Sequence, residues 1–349
     1  MQENRFHSDA NRVRVTDVAR AAGCAPATVS RVLNTPEKVS PETRERIQNA
    51  MIELGYLRNH AARSLRSQTT NIVGILIPTL EYAIYASIVG SASEKLSENG
   101  KSALIATFEY NLDREYREAR LLVEQGAEGL VLIGNLHRPE LISLLKTFNI
   151  PHVHTYVHDP NNDSPTVGFD NAAAAAKATK FLIQLGHVNF AVLTGPLFEN
   201  DRTSERLRGV NDALATSHIK LDPESIHESS YSIAAARKAT AKILANKSKK
   251  RPTALICSND VLALGAVLEC ESSDLHVPND ISIIGFDNLE LSTHHTPNLT
   301  TLHVPAREMG ASAAQTVLEM IEGQTTVSHI TVPVDLITRD STAPPSKLT

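Results

Sequence analysis

Apolar side chains recur at helical spacing in the first part of the chain. Between residues 13 and 56 they mark three segments, each starting near a residue that commonly begins a helix: Thr16, Pro26 and Ser40. The apolar stripes of these segments are Val18, Ala19 and Ala22; Val29, Val32 and Leu33; and Ile47, Met51 and Leu54. This pattern predicts a small three-helix domain over 13–56, with little apolar surface to bury and therefore marginal stability on its own.

From residue 71 onward the pattern changes to continuous apolar runs separated by amphipathic stretches. The runs suit strands that are buried on both faces, and they are NIVGILIP, SALIAT, GLVLIG, VNFAVLTG, TALICS and ISIIGFD. Helical stretches such as 113–125, 172–185 and 232–246 alternate with them. This alternation predicts βαβ units and parallel sheets, and the segment is long enough that we expect two lobes.

Charge is distributed unevenly along the chain. The net charge is −5, but the first 70 residues carry eleven Lys and Arg against seven Asp and Glu, a net +4, which leaves −9 on the remainder. A basic head on an acidic body confines attraction for phosphate to the head. The first residues contain no apolar export signal and no apolar run is long enough to cross a bilayer, so we expect a cytoplasmic protein.

Catalytic and metal-binding patterns are missing from the sequence. We find no GxGxxG, GxxxxGK[ST], GxSxG or HExxH motif, and the three cysteines have no CxxC spacing. His294 and His295 are adjacent, but they lack a neighbouring carboxylate or cysteine cluster and fit a surface loop. We therefore predict neither an enzyme, nor a bound metal, nor a cofactor.

The segment TDVARAAGCAPATVSRVLNTPEKVS resembles the DNA-binding signature of the LacI/GalR family of bacterial transcriptional regulators. The resemblance continues through ELGYLRNHAARSLRSQ, TNIVGILIP, VGFDN, QLGH, ERLRGV, SNDVLALGAV, GFDN and LTTLHVP, in family order and over nearly the whole chain. It implies an α/β fold with an N-terminal three-helix, helix-turn-helix DNA-binding domain and a two-lobed periplasmic-binding-protein-like domain with parallel sheets. It also implies a homodimer that binds double-stranded operator DNA.

The resemblance divides the chain into three parts. These are a helix-turn-helix domain over 13–56, a hinge linker or helix over 57–70, and an effector-binding and dimerisation domain over 71–342. The lobes of the last part are expected at roughly 71–166 with 302–325, and 167–298 with 329–342. The tail STAPPSKLT has no leucine heptad that could join dimers into tetramers, so we expect a dimer.

The second helix is expected to enter the major groove of DNA. Its outward-facing residues are predicted to lie against the duplex, with Arg31 as the main contact to phosphate or base: Pro26, Ala27, Thr28, Ser30 and Arg31. The resemblance implies phosphate contacts from Thr16, Asn34, Ser40, Thr43 and Tyr56, a further hinge contact from Asn59, and a Leu65 wedge between bases. Cys24 and Ala25 stand where the family commonly has Val and Ser, so the usual helix cap is missing at a cost of about 1 kcal/mol.

The family binds its effector between the two lobes, at the carboxyl ends of the strands. Matching positions imply effector contacts from Ile84, Tyr85, Ser204, Arg208, Tyr231, Asn259 and Asp287, to which Arg202 is added because it lies near Arg208 in the sequence. Two arginines would favour a sugar acid over a neutral sugar. Asn259 could instead cap a helix and Asp287 could serve a turn, while Asp170 is more plausible as a helix cap than as a ligand contact.

These observations favour a sequence-specific DNA-binding regulator of the repressor type that a small sugar or sugar-acid effector controls allosterically in carbohydrate catabolism. An alternative is a cytosolic solute-binding or sugar-handling protein with the same α/β body. A second alternative is a constitutive architectural DNA binder.

Overall fold

The computed structural model describes residues 13–57, 69–245 and 251–346. The contacts within the chain divide it into two units, and the boundary in the sequence lies between Thr70 and Asn71. Most of the predicted hinge, including Asn59 and Leu65, lies outside the described residues. Among the described residues, no helix has both the length and the apolar character that crossing a membrane would require.

The small unit consists of three helices around one apolar cluster. The helices are α1 (Val15–Ala21), α2 (Pro26–Asn34) and α3 (Pro41–Glu53), and a 3-10 turn (Pro36–Lys38) lies between α2 and α3. Val18, Val29 and Ile47 are buried at the centre of the cluster. The predicted three-helix pattern is therefore present.

The helix caps of the small unit follow the prediction with one exception. The Ser40 hydroxyl accepts a hydrogen bond from the Thr43 backbone N–H, and Ala25 caps α2 without any side-chain bond. The predicted cap at Thr16 is wrong, because α1 begins at Val15 and its cap residue is Arg14, two residues before Thr16. The Asp17 carboxylate accepts the Arg14 backbone N–H at 2.9 Å, which stabilises this earlier start.

The large unit alternates strands and helices, as its apolar runs predict. Its strands are β1 (Ile72–Ile77), β2 (Ser102–Thr107), β3 (Ala127–Ile133), β4 (His152–Thr155), β5 (Thr166–Gly168), β6 (Phe190–Thr194), β7 (Ile226–Glu228), β8 (Ala254–Cys257), β9 (Ser282–Ile284), β10 (Thr301–His303), β11 (His329–Thr331) and β12 (Asp335–Ile337). Its helices are α4 (Ala83–Glu98), α5 (Leu112–Glu124), α6 (Pro139–Thr147), α7 (Asn171–Gln184), α8 (Asp201–Thr216), α9 (Ile233–Ala245), α10 (Asp260–Ser272) and α11 (Ala306–Ile321), with 3-10 turns at Pro223–Ser225 and Glu290–Thr293.

Two parallel sheets form two lobes within the large unit. The first lobe contains a six-stranded sheet in the order β11-β5-β4-β3-β1-β2, and the second lobe contains a four-stranded sheet in the order β7-β6-β8-β9. Strands β10 and β12 form a separate antiparallel pair. The chain leaves the first lobe after β5, returns through β10 to α11, and passes along β12 to the second lobe, where the Ile283 N–H donates to the Ser341 carbonyl.

The predicted lobe boundary needs a correction at two strands. The sequence predicts residues 167–168 and 329–331 in the second lobe, but β5 pairs in parallel with β4, and β11 pairs in parallel with β5. Both strands therefore belong to the first sheet. The sequence motif VGFDN suggested a boundary at its first residue, whereas the chain completes the strand before it crosses. Asp170 then caps α7 by accepting the Ala173 N–H at 2.9 Å, which confirms its predicted capping role.

Candidate functional site: an interlobe pocket and a DNA-binding unit

A pocket lies between the two lobes of the large unit. Its walls come from segments that follow the carboxyl ends of parallel strands, where α/β folds commonly bind ligands. The lining residues are Tyr82, Ile84, Tyr85, Tyr110, Tyr156, Asn200, Arg202, Thr203, Arg206, Tyr231, Asn259 and Asp287. We call this site the interlobe pocket.

Tyrosine dominates the apolar surface of the interlobe pocket, which holds five of the seven tyrosines in the chain. The Tyr231 ring, from the second lobe, lies edge-on to Tyr82 with centroids 5.3 Å apart and 5.9 Å from Tyr110, both on the first lobe. Burial raises the pKa of Tyr82 to about 12. The Tyr82 ring therefore stays neutral and offers both an apolar face and a hydroxyl group to a ligand.

The Tyr231 ring is held in place from two sides. Its hydroxyl is 2.7 Å from the Thr203 hydroxyl and accepts a hydrogen bond from the Asn200 amide at 3.2 Å. On the other side, a Cβ atom at Gly195 would lie only 2.0 Å from the ring, so glycine is required for this close packing. Asn200, Thr203 and Gly195 thus fix the position of the ring.

Arg206 joins several elements beneath the pocket. Its guanidinium donates to the Asn171 side chain at 2.9 Å, to the Ser258 carbonyl at 2.7 Å and to the Tyr156 hydroxyl at 3.2 Å. It also stacks 3.6 Å from the centre of the Phe286 ring. The whole residue is only 8% exposed. This set of bonds satisfies most of the donors of a buried cation and positions it against the pocket.

Asp287 provides the carboxylate that faces Arg206 at 4.0 Å. Its Oδ1 accepts the Tyr156 hydroxyl hydrogen at 2.8 Å, and its backbone has a left-handed φ of 105°. Burial raises the pKa of Asp287 to about 6, although Arg206 and Tyr156 act in the opposite direction. A strained backbone and a buried acid at a strand end are features of ligand sites rather than of simple turns.

Asp260 is a second buried carboxyl group, close to Asp287. Thr301 donates its hydroxyl hydrogen to Oδ1 at 2.6 Å, and the Leu289 N–H donates to Oδ2 at 2.8 Å. Burial first, and repulsion by Asp287 second, raise the pKa of Asp260 to about 8 despite these donors. The folded protein therefore retains a proton here that the unfolded chain has released above pH 4.

We expect Asp260→Asn to remove most of the decrease in the free energy of unfolding that occurs between pH 7 and pH 8. Because the folded state binds one more proton than the unfolded state, the free energy of unfolding of the unmodified protein should fall by about 1 kcal/mol from pH 7 to pH 8. Because asparagine cannot ionise, the free energy of unfolding of the variant, measured by urea denaturation, should be nearly constant from pH 7 to pH 8. Histidines titrate below this range and free thiols above it. The exposed Asp340 serves as control, and Asp340→Asn should keep the original slope. Equal slopes for all three proteins would contradict the assignment.

Six predicted effector residues line the interlobe pocket: Ile84, Tyr85, Arg202, Tyr231, Asn259 and Asp287. Asn259 also caps α10, because its Oδ1 accepts the Leu262 N–H at 2.9 Å. The capping and pocket-lining roles proposed for this residue are thus compatible. That these residues bind an effector stays a prediction.

Ser204 and Arg208 must be corrected, because neither lines the interlobe pocket. The Ser204 hydroxyl donates to backbone carbonyls at Leu197 and Asn200. The Arg208 side chain is 55% exposed and pairs with Glu205 and Asp212 on the surface of α8.

The sequence reasoning missed six pocket residues: Tyr82, Tyr110, Tyr156, Asn200, Thr203 and Arg206. Helical spacing contained a usable signal for one of them, Arg206. Arg206 lies four positions after Arg202, on the same face of α8, whereas Arg208 lies six positions after it and faces away. The tyrosines come from separate loops, and no local pattern marks them.

The predicted DNA-binding residues lie on or near the surface of the small unit. Those exposed are Thr16, Pro26, Ala27, Arg31, Asn34 and Ser40, and those half-buried are Thr28, Ser30, Thr43 and Tyr56. The Asn34 side-chain amide donates to the Ser30 carbonyl at 2.8 Å and to the Ser30 hydroxyl at 3.2 Å, so these two side chains are in contact on α2. Arg46, by contrast, donates to the Ala22 carbonyl at 3.0 Å and ties α3 to α1. The DNA contacts themselves stay predictions.

The described residues contain no group of three or more His, Cys, Asp or Glu side chains arranged to hold a metal ion. His294 and Glu290 form a surface pair, with the His294 side chain 66% exposed. This agrees with the predicted surface loop for His294, whereas both ring nitrogens of His295 are buried.

Comparison with known proteins gives consistent matches over the chain. The family "Bacterial regulatory proteins, lacI family" matches residues 14–59, and "Periplasmic binding protein-like domain" matches residues 179–342. The HTH-type transcriptional repressor PurR of Aliivibrio fischeri (strain MJ11) is 35% identical over 312 residues, which cover 88% of this chain and 91% of that protein.

Solved structures agree in fold. A crystal structure of the lac repressor dimer bound to operator and the anti-inducer ONPF superposes with a TM-score of 0.83 and 28% identity, covering 95% of this chain and 99% of that one. A complex of the transcriptional regulator CelR with cellobiose has a TM-score of 0.69 and 28% identity, covering 95% and 100%.

The helix-turn-helix unit, the two-lobed α/β domain and these similarities define a DNA-binding transcription regulator. The chain belongs to the lacI family of bacterial regulatory proteins. The predicted family and fold class are confirmed. The prediction that the chain is not an enzyme is also confirmed, because its relatives are transcriptional regulators.

Proposed function

We propose that this regulator is a homodimeric repressor whose affinity for operator DNA is controlled by a small, neutral, polyhydroxylated ligand in the interlobe pocket. The observation that carries the proposal is the composition of this pocket, in which tyrosine rings and hydrogen-bonding groups from both lobes meet. Sugar rings bind well to such surfaces, because their C–H faces pack on aromatic rings while their hydroxyls exchange hydrogen bonds with polar side chains.

The charge of the pocket argues against the sugar acid suggested by two arginines. The Arg202 guanidinium lies 2.7 Å from the Asp201 carboxylate, and Arg206 lies 4.0 Å from Asp287. Each buried cation therefore already has its own counter-ion. A ligand carboxylate would bring an excess negative charge into a desolvated site, whereas a neutral ligand would leave the balance intact.

The control mechanism we propose is allosteric. A ligand that bridges both lobes changes the equilibrium between two lobe arrangements, and in a dimer this changes the spacing of the paired DNA-binding units. A thousandfold change in DNA affinity requires about 4 kcal/mol of differential ligand binding between the two states. The lac repressor dimer bound to operator supports the dimeric state, and sedimentation as a monomer at micromolar concentration would argue against it.

A thermal-shift screen with three ligand groups tests the effector class. Neutral mono- and disaccharides should raise the melting temperature, while the corresponding sugar acids should give little shift because the pocket charges are already balanced. Planar heterocycles such as nucleobases form the third group, because the tyrosine rings could also stack on them. A shift with sugar acids alone, or with heterocycles alone, would contradict a neutral sugar effector.

Active ligands from the screen are then added to a titration with genomic fragments that contain the operator. A change in DNA affinity of at least about tenfold supports allosteric control. Ligand binding with unchanged DNA affinity would instead favour the solute-binding alternative. If no compound of the three groups binds, and none changes the DNA affinity, the constitutive architectural DNA binder would be favoured.

A further inference from the structure

The two lobes are joined by a set of polar contacts from one short segment of the second lobe. This segment, residues 199–202, connects β6 to α8 and includes the first residues of that helix. Two of its carboxylates, at Glu199 and Asp201, accept hydrogen bonds from backbone N–H groups of the first lobe.

Glu199 reaches the start of helix α5 in the first lobe. Its Oε2 accepts the Leu112 N–H at 3.1 Å, one of the donors that a helix leaves unpaired at its first turn. The Asn111 side chain caps the same helix by accepting the Arg114 N–H at 2.8 Å, so Glu199 adds a cap from the opposite lobe. Glu199 itself has a left-handed φ of 54°, a conformation that non-glycine residues rarely adopt without a compensating contact.

Asp201 contacts the loop that follows β3. Its Oδ2 accepts the N–H groups of Asn135 at 2.6 Å and Leu136 at 3.2 Å, and its Oδ1 pairs with Arg202 at 2.7 Å. The Arg202 guanidinium also donates to the Ile133 carbonyl at 3.3 Å. Burial alone would raise the pKa of Asp201, but Arg202 and the backbone donors lower it below its usual value, so the carboxylate stays ionised.

The first lobe is shaped to receive this carboxylate and guanidinium. Gly134 has a φ of 89°, and a Cβ atom there would lie 2.1 Å from the Arg202 guanidinium and 2.7 Å from the Asp201 carboxylate. Only glycine therefore permits the approach. The side-chain amide of Asn135 donates to the Asp159 carboxylate at 2.9 Å. This bond within the first lobe holds the loop in place.

We propose that Glu199 and Asp201 form an interlobe latch that holds the two lobes in contact before any effector binds. Arg202 belongs both to this latch and to the wall of the interlobe pocket, so a ligand that contacts Arg202 acts directly on the latch. The latch thereby sets the population of the joined-lobe state in the ligand-free protein. It does not depend on the chemical class of the effector.

Hydrogen exchange in the full-length, ligand-free protein tests the latch at its three donor amides, those of Leu112, Asn135 and Leu136. Glu199→Ala and Asp201→Ala are compared with Glu205→Ala, which removes an α8 carboxylate whose ion pair among the described residues is with Arg208 of the same helix. Because opening the lobes frees all three donors together, either latch variant should accelerate exchange at all three by about tenfold, and Glu205→Ala at none.

The cross-effect separates a latch from isolated contacts. If Glu199→Ala accelerates only Leu112, and Asp201→Ala only Asn135 and Leu136, the bonds are local and the latch is overturned. Unchanged exchange at all three amides in both variants would also overturn it. Gly134→Ala provides an independent approach from the first lobe, because it displaces the contact without removing a carboxylate, and it should accelerate the same three amides. Hydrogen exchange is measured without ligand or DNA, so failure of the latch is distinguishable from failure of the ligand screen or of DNA binding.

Discussion

Arg206→Ala is expected to lower the free energy of unfolding by about 3–5 kcal/mol and to abolish the response to any ligand of the interlobe pocket. The reason is the number of groups that the guanidinium satisfies at once. Its removal takes a partner from three buried groups: the Asp287 carboxylate, the Asn171 amide oxygen and the Ser258 carbonyl. It also removes the cation stacked on Phe286.

Arg208→Ala is the matched control for this prediction, because Arg208 has the same chemistry and lies on the same helix. Its ion pairs are on the surface, where such pairs contribute about 0–1 kcal/mol, so stability and ligand response should be nearly unchanged. Urea denaturation measures the stability difference, and thermal shift with an active ligand measures the response. If both variants lost similar stability, the assignment of Arg206 as the pocket arginine would be wrong.

Arg206→Lys distinguishes a ligand role from a purely structural one. Lysine keeps the positive charge near Asp287, but it cannot reproduce the planar fork that contacts Asn171, Ser258 and Tyr156 together. We expect a folded protein of intermediate stability with strongly weakened ligand binding. Ligand binding that recovers in proportion to stability would indicate that Arg206 acts only as a structural residue.

The contrast between Arg206 and Arg208 also illustrates where sequence reasoning succeeded and where it failed. Six strands could be predicted because they are continuous apolar runs, and the helices because they are amphipathic, whereas the other six strands are only three or four residues long and have no such run. The resemblance placed the pocket at the strand ends. Choosing between two arginines in ERLRGV required the orientation of α8, which packing against α7 and the sheet determines. A helical count from Arg202 would have selected Arg206.

The tyrosines could not have been predicted from any one segment. Tyr82, Tyr110, Tyr156 and Tyr231 follow four different strands, and they meet only because the parallel strands of two sheets present their carboxyl ends to a common space. The latch has the same origin, since Glu199 and Leu112 are 87 residues apart in the chain. Such contacts depend on topology, which local composition does not encode.

The affinity of the full chain for duplex DNA should fall by about 10³ between 50 and 200 mM salt. The magnitude follows from the surface charge of the small unit. Within residues 13–57, Arg14, Arg31 and Lys38 are exposed, whereas Arg20 is paired with Asp17 and Arg46 donates to the Ala22 carbonyl. Three cations from each copy of a dimer would neutralise about six phosphates and release the corresponding counter-ions. The acidic large unit adds no attraction to this balance.

Arg31→Ala should weaken DNA binding by about 1–3 kcal/mol and make its salt dependence shallower, because each dimer would lose two cations at the duplex. Fluorescence anisotropy at five salt concentrations measures both the affinity and the slope. Arg120→Ala, an exposed arginine on α5 of the large unit, is the control and should change neither. A reduced affinity with an unchanged slope would mean that Arg31 contacts a base edge and not a phosphate, because only phosphate neutralisation releases counter-ions. Salt-independent binding by the unmodified protein would refute the electrostatic account of its DNA recognition.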